Sequence, residues 1–414
     1  MMRIPDRIQQ MDLPPFDSLA QRAAELRRQG HRVISLGQAV PFFPPPQTAL
    51  AGARAAMELP ETHRYATDPG LPSLRRILAE RLGESLQAVL EPDQLIVTAG
   101  ANQAFALVLT TLISAGDEVV LPGPYFANHH MMVRAVGATA VEAPVADRRT
   151  FAIRWSDIAP HLSARTRMIV LVNPSNPTGA ALDPADGRQI VAEAAARGLI
   201  VVSDEAYMHF VYEGQHWSAA SVPAWQETVV VIGTLSKSLG MMGWRVGFML
   251  ADRAVCQQAV KVMDAMIICA PVVSQMAAEA ALRDDWPYAA GFLDELRARR
   301  GVLAEGLAGI PGVEWTPGRG GLFAFARIAG CTDSGQLAHG LMEEAHLVTM
   351  PGASFGASGE GHLRMSFGFA AQDELREATL RLGDYFSRAR DRETPASGAL
   401  KSLRPAGDLP GQQP

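Results

Sequence analysis

Cysteine is scarce in this 414-residue chain: Cys256, Cys269 and Cys331 are widely spaced and fall in no CxxC or Cys/His pattern. That excludes a disulfide framework and a zinc site of the familiar spacings, and it makes a reducing cytoplasm the expected setting. The ten histidines include no HExxH, and His129 and His130 are adjacent, so a helix would turn them to different faces. They read as structural or surface residues, and no metal is expected. Apolar runs nowhere reach the roughly 18 residues of a membrane helix, and the opening Met1-Met2-Arg3-Ile4-Pro5 has no apolar export segment. Neither a membrane span nor secretion is expected. A net charge of −6 offers nucleic acid no electrostatic attraction. The glycine-rich Gly318-Arg319-Gly320-Gly321 lacks the lysine and the preceding strand of a nucleotide loop.

What is present is an ordinary globular composition, 48% hydrophobic and 19% charged, in a length that suits two unequal domains. Seven short apolar runs bounded by turn or cap residues read as buried strands: 95–98, 118–121, 139–143, 168–172, 199–203, 228–233 and 246–251. Helical spacing at 104–114, 128–136 and 184–197 supplies crossovers, so the middle of the chain reads as an α/β domain around one large, mostly parallel sheet flanked by helices. After Pro271 come helical stretches at 272–282 and 290–307, a strand at 321–328, a helix at 334–345 and a strand at 362–367, the order of a smaller α+β domain. A helix at 18–29 and the run 33–36 can complete that domain from the amino-terminal side. The expected division is an arm and part of the small domain at 1–45, a large domain at 46–288, a small domain at 289–388 and a disordered tail at 389–414 rich in Pro, Gly and Ser.

A lysine is usually a solvated surface charge. Lys237 has a different context, because Thr234-Leu235-Ser236-Lys237-Ser238 follows directly on a strand, where open α/β sheets bind ligands at their carboxyl edge. Arg245 follows eight residues later. Desolvation beside a second cation lowers a lysine pKa and leaves a nucleophilic amine. The hydroxyls of Thr234 and Ser236 with the Arg245 guanidinium can cradle a phosphate. Gly100-Ala101-Asn102 opens a helix just after another strand, and its free N–H groups can receive the same phosphate. Together these groups suit a phosphorylated aldehyde.

Six motifs in order carry a family resemblance over about residues 36–386. They are Leu36-Gly37-Gln38 with Pro44-Pro45-Pro46, Tyr65 with Gly70-Leu71-Pro72, Asn173-Pro174-Ser175-Asn176-Pro177-Thr178-Gly179, Ser203-Asp204-Glu205-Ala206-Tyr207, the Lys237 stretch, and Leu363-Arg364-Met365-Ser366-Phe367. The chain resembles the class I/II aminotransferases of the fold-type-I pyridoxal-phosphate enzymes, and looks nearest to the bacterial aspartate, methionine and kynurenine aminotransferase-like group.

The resemblance implies a role for each motif. Lys237 would hold pyridoxal 5'-phosphate as a Schiff base and serve as general base once freed by substrate. Asp204 would pair with the pyridinium nitrogen; Tyr207 and Asn176 would hydrogen-bond the phenolic oxygen; Tyr125 would stack on the ring. Thr234, Ser236, Arg245 and Gly100-Ala101-Asn102 would hold the phosphate, although many relatives carry lysine where Asn102 stands. Arg364 would clamp the substrate α-carboxylate with help from the Gly37 backbone, and Tyr65 would reach the phosphate of a neighbouring subunit in a homodimer with shared active sites. Phe42, Phe43 and Met241 are expected to give the pocket an apolar side that favours aromatic or methionine-like donors. The reaction implied is amino-group transfer from an L-amino acid to a 2-oxo acid. A same-fold β-lyase, decarboxylase or synthase remains open at this point. A non-catalytic ligand sensor is disfavoured because Lys237, Asp204, Arg245 and Arg364 are all retained, and because about 30 residues before Leu36 are too few for a DNA-reading module.

Overall fold

Runs of β-branched and aliphatic residues build the centre of the molecule, which was described from a computed structural model covering residues 2–393. Seven strands form one sheet, in the spatial order Leu95–Thr98, Gly247–Leu250, Val229–Thr234, Ile200–Asp204, Thr166–Val172, Glu118–Gly123 and Thr139–Pro144. Every neighbouring pair is parallel except those made by Gly247–Leu250, which runs antiparallel to both its neighbours. Six strands are buried along nearly their whole length, and the edge strand Thr139–Pro144 is the partly open one. The side-chain alternation of a strand divides the buried residues between two faces. Val97, Ile169, Val201 and Val231 join one apolar cluster; Ile96, Met168, Val202 and Ile232 join the other. Helices Ala101–Leu112, Ala127–Ala135 and Arg253–Ile267 cover the second face. On the first, Gln47–Met57 packs so closely on Val272–Asp284 that a Cβ at Gly52 would lie 2.7 Å from Ala280 Cβ.

The second sheet has four strands, Met350–Pro351, His362–Ser366, Phe323–Ile328 and Val313–Glu314, all antiparallel. Helices Leu293–Ala308, Ser334–Ala345 and Gln372–Glu393 accompany it. Of the amino-terminal run 33–36, only Ile34–Ser35 forms strand, parallel to Leu347–Val348. The final helix runs to Glu393, five residues past the expected boundary at 388, and its Leu375, Ala378 and Leu382 pack on the small unit. The rest of the expected tail lies outside the described residues. The edge strand ties the two units together through Glu142, whose carboxylate accepts from Ala357 N at 3.0 Å and Ser358 N at 2.9 Å.

Candidate active site

Lys237 stands one turn beyond the carboxyl end of Val229–Thr234, in the short helix Leu235–Ser238. Thr234 caps that helix, its Oγ1 accepting from Ser236 N at 3.1 Å. The Lys237 Nζ donates to the Ala39 carbonyl at 2.6 Å. Burial first, then the charges of Arg245 and Arg364, hold the ammonium pKa down to about 8 from 10.5. Desolvation with a contribution from Arg245 is the combination expected from the sequence, and Arg364 adds to it.

Beneath the lysine lies a floor built for an anion. The Thr234 and Ser236 hydroxyls are 2.9 Å apart, and Arg245 Nη1 donates to Ser236 Oγ at 3.3 Å. The guanidinium otherwise donates to the carbonyls of Met242 and Ala99, each at 3.1 Å, so its charge is left uncompensated by these partners. Gly100 caps helix Ala101–Leu112 with φ +84°, and a Cβ there would fall 2.2 Å from Arg245 Nη2. Glycine is required by both the backbone and the arginine. Hydroxyls, a forked cation and unbonded helix N–H groups are the donor set that a phosphate dianion takes.

Asp204 ends Ile200–Asp204, and its Oδ2 lies 3.1 Å from His129 Nε2, with both side chains nearly fully buried. Its Oδ1 accepts from Ala206 N at 3.0 Å. His129 is therefore neither a surface residue nor a mere filler: its ring sits 4.3 Å from the Phe105 ring and edge-on to Phe126, aimed at the carboxylate. Tyr207 is buried beside Asp204, and burial pushes its phenol well above the ordinary tyrosine range.

Arg364 projects from His362–Ser366 and is almost wholly buried. Nη1 donates to Asn176 Oδ1 at 2.9 Å, Nη2 donates to the Gly37 carbonyl, and Nε has no protein partner. Phe323, Phe355 and Phe16 surround the guanidinium at 4.9, 5.0 and 5.6 Å. Burial lowers its pKa to about 10, so it stays charged at neutral pH. A buried cation with neutral partners and a spare N–H is a receptor for a carboxylate.

A cavity of about 290 Å³ gathers these groups. Ala101, Asn102, Asn176, Asp204, Tyr207, Thr234, Ser236, Lys237, Arg245 and Arg364 all line it. Gly37 and Gly100 act from its margin through their backbones. Tyr125 does not enter. Its ring stacks on His130 at 5.4 Å and packs toward Gly356, while the next residue, Phe126, faces the cavity. The motif pointed to the right turn but the wrong one of two consecutive aromatics. Tyr65 lies away from this cavity and is 78% exposed. The expected apolar wall is also relocated: Phe43 stacks on Phe292 at 4.3 Å, Phe42 lies under Arg299, and Met241 is fully buried. Phe16, Phe126, Asn128 and Met242 line the cavity instead. Gly352-Ala353-Ser354-Phe355-Gly356 has the spacing of a hydrolase serine elbow, but it forms a short 3-10 turn rather than a strand-to-helix bend.

Fold and cavity define an α/β protein that sets a lysine amine between two arginines at the carboxyl edge of the sheet. Residues 31–382 match the family described as aminotransferase class I and II, and the chain belongs to that family. It is similar to an aspartate aminotransferase of Pyrococcus abyssi, 33% identical over 84% of this chain and 90% of the relative. An arginine–pyruvate transaminase of Pseudomonas aeruginosa is 31% identical, with 87% and 92% covered. Among solved structures, an aspartate aminotransferase from Thermus thermophilus with maleate superimposes with a TM-score of 0.86 at 27% identity, covering 93% of this chain and all of the other. An alanine aminotransferase from Pyrococcus furiosus gives 0.87 at 27% identity, with 93% and 100% covered. The protein is a transaminase, moving an amino group between amino acids and 2-oxo acids.

Proposed function

We propose that this transaminase works with pyridoxal 5'-phosphate carried on Lys237. The buried Lys237 amine between Arg245 and Arg364 carries the reading, since it alone joins a reactive nitrogen to two separate anion receptors. Thr234, Ser236, Arg245 and the helix start at Gly100-Ala101-Asn102 would hold the phosphate. The bound cofactor supplies an electron sink for the substrate Cα. Asp204, oriented by His129, holds a proton on the ring nitrogen; Tyr207 and Asn176 serve the phenolic oxygen; Phe126 takes the ring-packing place expected of Tyr125. Arg364 binds the α-carboxylate and thereby orients the Cα–H bond toward the Lys237 nitrogen, which is neutral often enough near pH 8 to accept that proton. We further propose a cytoplasmic homodimer in which exposed Tyr65 completes the partner's phosphate site, with the domain division given above. No helix of the described residues is long and apolar enough to cross a membrane.

The test is Lys237→Ala. The purified wild type should transfer an amino group from an amino acid to a 2-oxo acid and show the absorbance of a lysine-linked cofactor. The variant should lose both while still binding free pyridoxal phosphate. Ordinary turnover by the variant would refute the assignment.

A further inference from the structure

Tyr125, turned away from the cavity, meets the small unit instead. Its N–H donates to the Phe355 carbonyl at 3.0 Å, and its ring lies against Gly356. Two short 3-10 turns, Gly352–Phe355 and Ala357–Gly359, join at Gly356, which has a φ of +99°. Ser358 in the second turn is buried, and each of its polar atoms is engaged from the large unit. Its N–H, at 2.9 Å, and its hydroxyl donate to Glu142 Oε1, while its carbonyl accepts from Arg148 Nη1 at 2.6 Å. Glu142 Oε2 accepts from Ala357 N at 3.0 Å. Both units make room for this carboxylate with glycine, since a Cβ at Gly123 would fall 2.6 Å from Glu142 Oε1 and one at Gly356 2.8 Å from it. Val145 and Phe151 of the large unit also pack with Phe325, Met350 and Phe355 in one apolar cluster. Phe355, just before these held residues, has its ring 5.0 Å from Arg364 Cζ and edge-on to Phe325, which pairs with Arg364 across the small sheet.

We propose that Glu142 is a positioning residue for amino transfer: it fixes the turn after Phe355 to the large sheet and so sets where Arg364 stands relative to Lys237. This rests on Arg364 as the receptor for the α-carboxylate. A carboxylate that takes two backbone N–H groups and a hydroxyl makes a charge-assisted, directional joint. The apolar cluster beside it holds the two units together without Glu142, but apolar burial is non-directional and selects no single placement. Lys237, Thr234, Ser236, Arg245 and Gly100 all belong to the large unit, whereas Arg364 belongs to the small one. Loosening the joint therefore acts on carboxylate binding and leaves the phosphate site in place.

The experiment is Glu142→Gln, which keeps the size of the side chain and puts an amide NH₂ in place of one accepting oxygen. Affinity of the holoenzyme for propionate, followed by cofactor absorbance without turnover, should fall by about tenfold, while affinity for pyridoxal phosphate stays within about twofold. Hydrogen exchange at the Ala357 and Ser358 amides should quicken by at least about tenfold. Ser358→Ala removes one of the three donors and should weaken propionate by about threefold. In an Arg364→Leu background, Glu142→Gln should lower kcat/KM no further, because the clamp it places is gone. Unchanged propionate affinity in both Glu142→Gln and Ser358→Ala, with Arg364→Leu still weakening it, overturns the proposal. Equal losses of propionate and pyridoxal phosphate affinity in Glu142→Gln overturn it too, since they mark a general loosening. Propionate affinity unaltered by Arg364→Leu would instead remove the reading of Arg364 on which the proposal stands.

Discussion

Raising the pH of the cofactor-free enzyme should discharge one amine that the fold holds against its preference for water. Lys237 titrates at about 8 in the folded protein and at 10.5 when solvated, with burial the first cause and the fields of Arg245 and Arg364 the next. Its folded pKa lies below its unfolded one, so between those values the unfolded chain holds the extra proton. The penalty for folding around the ammonium is therefore full below about pH 8 and is relieved as pH rises toward 10.5. At full size it amounts to roughly 3 kcal/mol. Lys237→Met removes the titrating group and keeps the side chain's bulk, so the stability difference between variant and wild type isolates the effect. Denaturant unfolding of both proteins at pH 7 should favour the variant by up to roughly 3 kcal/mol, and the advantage should shrink steadily by pH 10. The same depression predicts that about one amine in four is neutral at pH 7.5, against about one in a thousand for a solvated lysine. Loading of added pyridoxal phosphate should accordingly accelerate with pH and level off above about 8. A stability difference independent of pH, or one that grows as pH rises, would refute the reasoning.

Gly100→Ala should weaken cofactor binding at least about tenfold in equilibrium dialysis and cost about 1–3 kcal/mol of stability. The added methyl collides with Arg245 Nη2 at a φ of +84°, so wild-type affinity would show that Arg245 does not depend on this close approach. Asp204→Ala should lower kcat at least about 100-fold while the purified protein retains its cofactor. Loss of the cofactor with no change in residual kcat would reverse the assigned role.

Much of the fold could be read along the chain. Val201-Val202 and Val229–Ile232 are buried on both faces of the sheet, so their strands appear as continuous apolar runs that need no tertiary information to recognise. Helices Gln47–Met57, Pro72–Leu86, Arg253–Ile267 and Gln372–Glu393 were not anticipated. Of these, Gln47–Met57 buries only alanines, a weak apolar stripe that becomes intelligible once Gly52 is seen against Ala280.

By itself, the order of residues determined the seven strands, the place of Lys237 at a strand's end and that of Arg364 on the small sheet, because each is encoded by its immediate neighbours. Tertiary structure alone decided which ring meets the cavity. Tyr125 and Phe126 are adjacent, and their directions depend on how Gly356 and Glu142 crowd one and leave space for the other. The same holds for His129, paired with a carboxylate 75 positions away, and for Phe16, brought over Arg364 from the far end of the chain. Packing chooses among side chains that local chemistry makes equally eligible, and at this site it set Phe126 at the cavity and Phe16 over Arg364.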